Sequence, residues 1–458
     1  AKEGTLTDID GNFSVKGKVG NTLSISYVGF SPLEVKVTKL EGNRFILKED
    51  SKLLDEVVVV GMDKQKRNTI TAAVSTVASD AIVNRPVTDL TSALQGNVAG
   101  LNFVTDAAPD GVGGETGAEI KFNIRGVGSI NGNGGEPYVL VDGVEQSLQN
   151  VNPNDIETIS VLKDASAAAV YGARAAYGVV LVTTKSGRQE KTRVSYRGTV
   201  GFSSPINMPE MMNSLEFAKY VNERNDNDGV NHKFSDALIE KMEGFMKNPY
   251  SAEFPGIGPN QNGTDWASSM DAVYANTDWF DYYFKDTAIR HSHNLSVTEG
   301  SEKFNYYVGL GYTYQDGLLD KVDDNLSKYN VNTKFQIIAN KWLKFNFNNN
   351  ITLSILKRPM ANQTIFYGTL GQTIPNAPTH YPIDSEYNDA SEFRYLKESH
   401  YVQNRISDAM SFAATITPLP GWDIVGEMKV RFDVEDNSFK RGYPTVEKPD
   451  GELKVDIG

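Results

Sequence analysis

The sequence has 458 residues, more than one ordinary domain needs, and a prior of roughly 150 residues per domain gives about three units. Lys+Arg total 45 against Asp+Glu 58, a net charge of −13, which argues against a surface that tracks nucleic-acid phosphates and against a polybasic membrane-surface protein. Cysteine is absent, so neither a disulfide framework nor a thiolate metal site is available, and no apolar run reaches the ~18 residues of a transmembrane helix.

Residues 1–50 carry short alternating runs at 6–10, 13–19, 22–27, 33–38 and 44–48, separated by Gly, Asn and Asp turns. Strands of that length and spacing predict a small β-sandwich. About 50 residues are few for such a core. The first residues read as the middle of a strand-rich domain, and the last ones, 453–458, stop without a closing feature, so the sequence reads as a segment of a longer protein.

Residues 51–67 differ. Asp55 and Glu56 precede Val57, Val58, Val59 and Val60, and Gly61, Lys64, Lys66 and Arg67 follow. Four β-branched residues between charges have two readings. One is a buried strand of the first domain. The other is an exposed, extended peptide that adds to the sheet edge of a partner, with the flanking charges guarding against self-association.

Residues 68–190 mix helix and strand. Leu90, Leu94 and Val98 share one helical face within 88–98. Strands are expected at 101–105, 120–124, 138–141, 158–162 and 179–184, and the apolar run 165–182 is broken by Gly172, Arg174 and Gly178. Gly-rich loops at 106–117 and 126–136 interrupt them, and loops of this kind inside a compact domain usually serve function.

From 191 to 458 the period becomes two over longer stretches. Phe304, Tyr306, Val308, Leu310, Tyr312 and Tyr314 alternate with Asn305, Tyr307, Gly309, Gly311 and Thr313. Tyr329, Val331, Thr333, Phe335 and Ile337 repeat the rule, as do Leu343, Phe345 and Phe347 after the Asn340-Lys341 turn, and Trp422 to Val434. Strands beyond the usual 5–6 residues, apolar outward and polar inward, suit a tilted barrel wall in lipid. A large soluble β-sandwich is the alternative on periodicity alone. Asn213 and Glu216 stand in capping-box positions and predict a helix over 213–225, in a loop outside the membrane.

Taken together, ordered motifs resemble the SusC-like TonB-dependent transporters. Leu54-Asp55-Glu56-Val57-Val58-Val59-Val60-Gly61 is similar to their TonB box. Ala93-Leu94-Gln95-Gly96-Asn97-Val98-Ala99-Gly100-Leu101, Ile124-Arg125-Gly126, Tyr138-Val139-Leu140-Val141-Asp142-Gly143-Val144, Asn152-Pro153-Asn154-Asp155 and Tyr171-Gly172-Ala173-Arg174 resemble their plug. Ser292-His293-Asn294-Leu295-Ser296-Val297 resembles an early wall strand, and residues 1–50 resemble the carboxypeptidase-regulatory-like sandwich that precedes the box. The apical loop departs from the family at Pro109 to Glu115, so substrate class is not carried over. Transporters of this kind close 22 strands around a plug, and the roughly seven wall strands here amount to about a third.

The resemblance implies a mainly β fold: a partial transmembrane antiparallel β-barrel, an α/β plug and an N-terminal β-sandwich fragment, in the bacterial outer membrane with the plug underside facing the periplasm. It implies TonB-dependent import of oligosaccharides or oligopeptides. Asp55 to Val60 would be gripped by TonB, which couples to the inner-membrane proton-motive-force complex. A SusD-like surface lipoprotein would form the lid, outer-membrane lipid would surround the wall, and the transporter–lipoprotein pair has a homodimer as a further option. Asp106, Asp110, Glu115, Asn131, Asn133 and Glu136 would face substrate, and Arg125 would lock plug to barrel. No cofactor, metal or catalytic residue is expected. His291 and His293 share a strand face, where a wall position is the default over a metal pair, and no HExxH or GxSxG stands in a suitable context. Other readings are a receptor for a metal chelate or vitamin, and a non-transporting surface adhesin or glycan-binding protein.

Overall fold

The computed structural model describes residues 135–164, 168–187, 191–206, 208–359 and 368–455, with gaps at 387, 392–393 and 398. It also describes shorter stretches before residue 135, chiefly 13–15, 18–25, 33–39, 74–83, 90–98, 100–105, 116–118 and 120–124, and the backbone at 57–60 and 63–66.

Strands β1 (Thr22–Ile25) and β2 (Leu33–Lys36) pair antiparallel, Thr22 opposite Lys36, and each alternates exposed with half-buried positions. Residues 13–15, 18–19 and 45–46 form no strand, although the sequence pattern predicts one at both places. Ring packing holds them instead, with Phe13 and Phe45 centroids 6.3 Å apart. Strand β3 (Val57–Val60) pairs with β4 (Asp63–Lys66) in a sheet of its own, not with β1 or β2.

The plug follows. Its five-stranded sheet is built from β5 (Val74–Ala78), β8 (Tyr138–Val141), β9 (Val144–Glu145), β10 (Ile156–Leu162) and β11 (Val179–Thr184), in the order β5-β10-β11-β8-β9. Helices α1 (Ser79–Val83) and α2 (Leu90–Leu94) cover it, and β6 (Leu101–Thr105) pairs with β7 (Ile120–Ile124) as a separate hairpin. Leu90, Leu94 and Val98, the predicted helical face, enter a core with Ile82, Ile156, Ile159 and Val180. The helix is shorter than its pattern, because Gly96 and Gly100 take positive φ and the chain turns into β6. The Ala-rich run becomes a 3-10 segment (Ala169–Ala175) kinked at Gly172, whose φ of 70° and ψ of −158° no helix accepts.

The described residues then build a seven-stranded antiparallel meander, each strand paired with the next: β12 (Arg193–Ser203), β13 (Ala288–Gly300), β14 (Phe304–Asp316), β15 (Asn325–Asn340), β16 (Leu343–Arg358), β17 (His400–Leu419) and β18 (Trp422–Lys440). Connections alternate between short turns at 301–303, 341–342 and 420–421 and longer loops at 204–287, 317–324 and 359–399. Short turns at one rim and long loops at the other are the habit of outer-membrane barrels.

The two faces decide between barrel and soluble sandwich. Asn332 is 1 % exposed and Thr352 2 %, whereas Tyr329 is 44 % and Leu310 46 % exposed. Amides inside and aliphatic and aromatic side chains outside invert the rule for a protein in water, and fit a wall against lipid. His291 and His293 stand on the outer face among Tyr196, Tyr312 and Tyr314; the Tyr196 hydroxyl lies 2.7 Å from His293 Nδ1.

The first long loop has its own core. Asn213 Oδ1 accepts from the Glu216 amide (2.9 Å) and Glu216 Oε2 from the Asn213 amide (3.0 Å), so the capping box starts α3 (Ser214–Asn227) as the spacing predicts. Ala218 and Val221 of α3 meet Leu238, Met242 and Phe245 of α4 (Asp236–Lys247), with Phe234 between them.

Candidate functional site

Two regions carry the expected functions: the box, and the surface where plug meets wall. Val57 to Val60 form a strand with Val57 opposite Lys66 and Val60 opposite Asp63. This segment takes the extended backbone that strand addition needs. Asp55 and Glu56 lie outside the described residues, as do Arg125, Asp106, Asp110, Glu115, Asn131 and Asn133.

Glu136 is described, and it is exposed. It lines a cavity of about 390 Å³ together with Lys121, Phe122, Tyr138, Glu145, Arg174 and Arg431. Arg174 Nη1 donates to Glu145 Oε2 at 2.6 Å, and its guanidinium lies 5.4 Å from the centre of the Tyr138 ring. Arg431, on the wall, donates to the Glu145 carbonyl at 3.1 Å. Aromatic faces beside charged groups of both signs suit a polar ligand rather than an apolar one. The end of the 106–117 loop reaches the rim that carries the long connections, with Gly117 against the Leu356 side chain.

The seam between plug and wall is polar. At the β8–β9 turn Asp142 and Gly143 both take positive φ, 48° and 83°. Such a two-residue turn is the hairpin geometry that Asp-Gly favours. It places the Asp142 carboxylate on the Thr184 hydroxyl (2.6 Å) and amide (3.1 Å). Lys334 of β15 reaches in to Asp142 Oδ1 (2.6 Å) and to the Thr184 carbonyl (2.8 Å), and both side chains of this ion pair are nearly buried. Higher up, the Asn150 carbonyl accepts from Thr352 Oγ1 (2.5 Å) and Asn330 Nδ2 (3.3 Å).

Between these contacts the turn Asn152-Pro153-Asn154-Asp155 sits against β14. Asn152 Nδ2 donates to Asn294 Oδ1 (2.7 Å), and the Tyr307 hydroxyl donates to Asp155 Oδ1 (2.6 Å). The turn comes this close only because Gly309 and Gly311 face it: a Cβ at Gly309 would overlap the Asp155 carboxylate, and one at Gly311 the Asn152 amide. Gly309→Ala is therefore expected to lift the plug from the wall, costing about 1–3 kcal/mol in seating. Gly426→Ala, where a Cβ meets nothing within 4 Å, serves as the control. Limited proteolysis of the plug in the detergent-purified protein reads the difference.

None of these pairings was foreseeable. Period-two alternation puts Tyr307, Gly309, Gly311 and Lys334 on the inward face, but which plug residue each meets depends on how the plug sits in the lumen.

The fold and seam define a plugged outer-membrane β-barrel receptor. Residues 66–179 match the TonB-dependent Receptor Plug Domain family and residues 1–59 the CarboxypepD_reg-like domain family. The chain is 32 % identical to TonB-dependent receptor SusC of Bacteroides thetaiotaomicron over 74 % of its own length and 32 % of that protein's. It is 32 % identical to TonB-dependent receptor P26 of Formosa agariphila over 98 % of its length and 42 % of that protein's. The RagAB peptide importer in its open–open state superposes with a TM-score of 0.63 at 26 % identity, covering 84 % of this chain and 43 % of that one. The chain thus spans less than half the length of the relatives it matches. It belongs to the SusC-like TonB-dependent receptors of the bacterial outer membrane, a family of receptors rather than enzymes.

Proposed function

We propose that the protein imports oligosaccharides or oligopeptides across the outer membrane, driven by TonB pulling on Asp55 to Val60 and covered by a SusD-like surface lipoprotein. The observation that carries this reading is the polar seam. A plug fixed by apolar burial would resist removal, whereas one held, among the described residues, by hydrogen bonds and a nearly buried ion pair at Asp142 and Lys334 can exchange those bonds for water and reform them. Val57 to Val60 supply the handle, because main-chain pairing bears load without a deep pocket.

In this reading residues 1–50 are the sandwich fragment, 51–67 the box and linker, 68–190 the plug and 191–458 the early wall. Glu136 faces substrate, with Asp106, Asp110, Glu115, Asn131 and Asn133 on the neighbouring loops, and Arg125 holds plug to barrel. RagAB is a peptide importer known in open–open and closed–closed states, which supports the oligopeptide side and a lid that moves.

Deleting residues 55–60 from the native protein is expected to reduce uptake of labelled oligopeptide or oligosaccharide pools to background while surface binding persists. Uptake at the wild-type level would overturn the proposal and favour a surface adhesin.

A further inference from the structure

Asp155 is a buried carboxyl with an unfinished hydrogen-bond shell. It is 3 % exposed. Oδ1 accepts from the Tyr307 hydroxyl at 2.6 Å, while Oδ2 is buried with no partner. Glycine at 309 leaves the carboxyl in direct contact with the β14 backbone, so water has no room on that side. An ionised carboxylate accepts through both oxygens, and leaving one bare in a dry site is costly, whereas the neutral acid loses far less. Asn332, opposite Gly309 on β15, also keeps a buried, unpartnered Nδ2, so the wall beside the turn is polar and closely packed.

We propose that the Asn152–Asp155 turn in the Gly309/Gly311 notch is a proton-linked latch: the plug seats with Asp155 as the neutral acid and loosens when Asp155 ionises. Among the described residues, the titratable and charged groups facing it come from three strands. Tyr307 comes from β14, Lys334 from β15 and Lys185 from the end of β11, and Asp142 holds the Lys334 ammonium. Lys185 itself is bound to the Asn154 carbonyl at 2.7 Å. Burial pushes the Asp155 carboxyl up to about 6, against the Tyr307 hydroxyl and the two lysines. Asp155 belongs to the plug and not to a spanning strand. Its folded value lies above the unfolded one, so the proton-dependent stabilisation is complete below the ordinary carboxylate range and fades as pH rises through about 6.

The latch is independent of import and is read on the whole purified protein in detergent, without substrate or TonB. Hydrogen exchange of segment 142–162 is compared between wild type and Asp155→Asn at each pH from 5 to 8, which cancels the intrinsic pH dependence of exchange. At pH 5 wild type should already exchange somewhat faster, because the open segment ionises from the ordinary carboxylate range upward. From pH 5 to pH 8 the ratio should rise about a further tenfold, toward an approximate ceiling of a hundredfold. A ratio that stays flat from pH 5 to 8 overturns the latch. Should Asp155→Asn fail to fold, Tyr307→Phe takes its place, because losing that hydroxyl removes support for the charged form. Its ratio to wild type must then change between pH 5 and 8, and an unchanging ratio overturns the proposal equally.

Discussion

Joining Thr76 to Ser160 by a disulfide is expected to cut import to background while leaving the fold and surface binding intact. Strand β5 is the first described plug element after the box, so load applied at residues 55–60 arrives at Val74. Among the described strands it is also an edge strand, hydrogen-bonded to β10 alone, with Val74 opposite Leu162 and Thr76 opposite Ser160. Removing it breaks one ladder and leaves β8 to β11, which carry the contacts to the wall, in place. Directly opposed residues of an antiparallel pair have Cα atoms about 4.5–5.5 Å apart, within the range a disulfide spans. Thr76 Oγ1 has no partner and Ser160 is small, so both replacements preserve packing, and none of these 458 residues is a cysteine that could compete for the bridge. Labelled oligopeptide and oligosaccharide pools are followed into cells before and after a membrane-permeant reductant, which should restore import. Unchanged import with the bridge verified by mass would show that β5 does not move.

Much of this architecture is legible in the sequence, because each part rests on local pattern. Period two places Phe304 to Tyr314 and Tyr329 to Ile337 on the outer face, and Asn213 with Glu216 starts the loop helix where the spacing puts it. Plug strands at 101–105, 120–124, 138–141 and 179–184 coincide with their apolar runs. The seam is not legible, since its partners lie 142 to 202 residues apart: Asn152 with Asn294, Asp155 with Tyr307, Asn150 with Thr352. Arg125, read as the lock, lies outside the described residues, and among the described residues an ion pair from plug to wall joins Asp142 to Lys334. An alternating strand tells that Lys334 points inward. It does not tell which carboxylate waits there. The N-terminal domain is legible as a whole, since residues 1–59 match its family, but its strands are less so: among the described residues 13–15, 18–19 and 45–46 form none, because five-residue runs fix no pairing.

The Asp142–Lys334 ion pair gives the largest expected single-residue effect. Lys334→Met removes an ammonium that neutralises Asp142 and also satisfies the Thr184 carbonyl, both in a site that water barely reaches. Breaking one side of a buried ion pair strands the other charge, typically at a cost of about 3–5 kcal/mol, while replacing both sides with neutral groups costs much less. Plug seating should weaken by about that amount in Lys334→Met, and Asp142→Asn combined with Lys334→Met should recover most of it. The wall itself should hold, because Lys334 makes these contacts inward and β15 keeps its ladders to β14 and β16. Calorimetry of the purified protein reads the seating, and sensitivity of cells to large antibiotics reads the leak that a loose plug allows. Additive losses in the double variant would mean that Asp142 and Lys334 act separately, as surface charges do, and that the plug is held elsewhere along the seam.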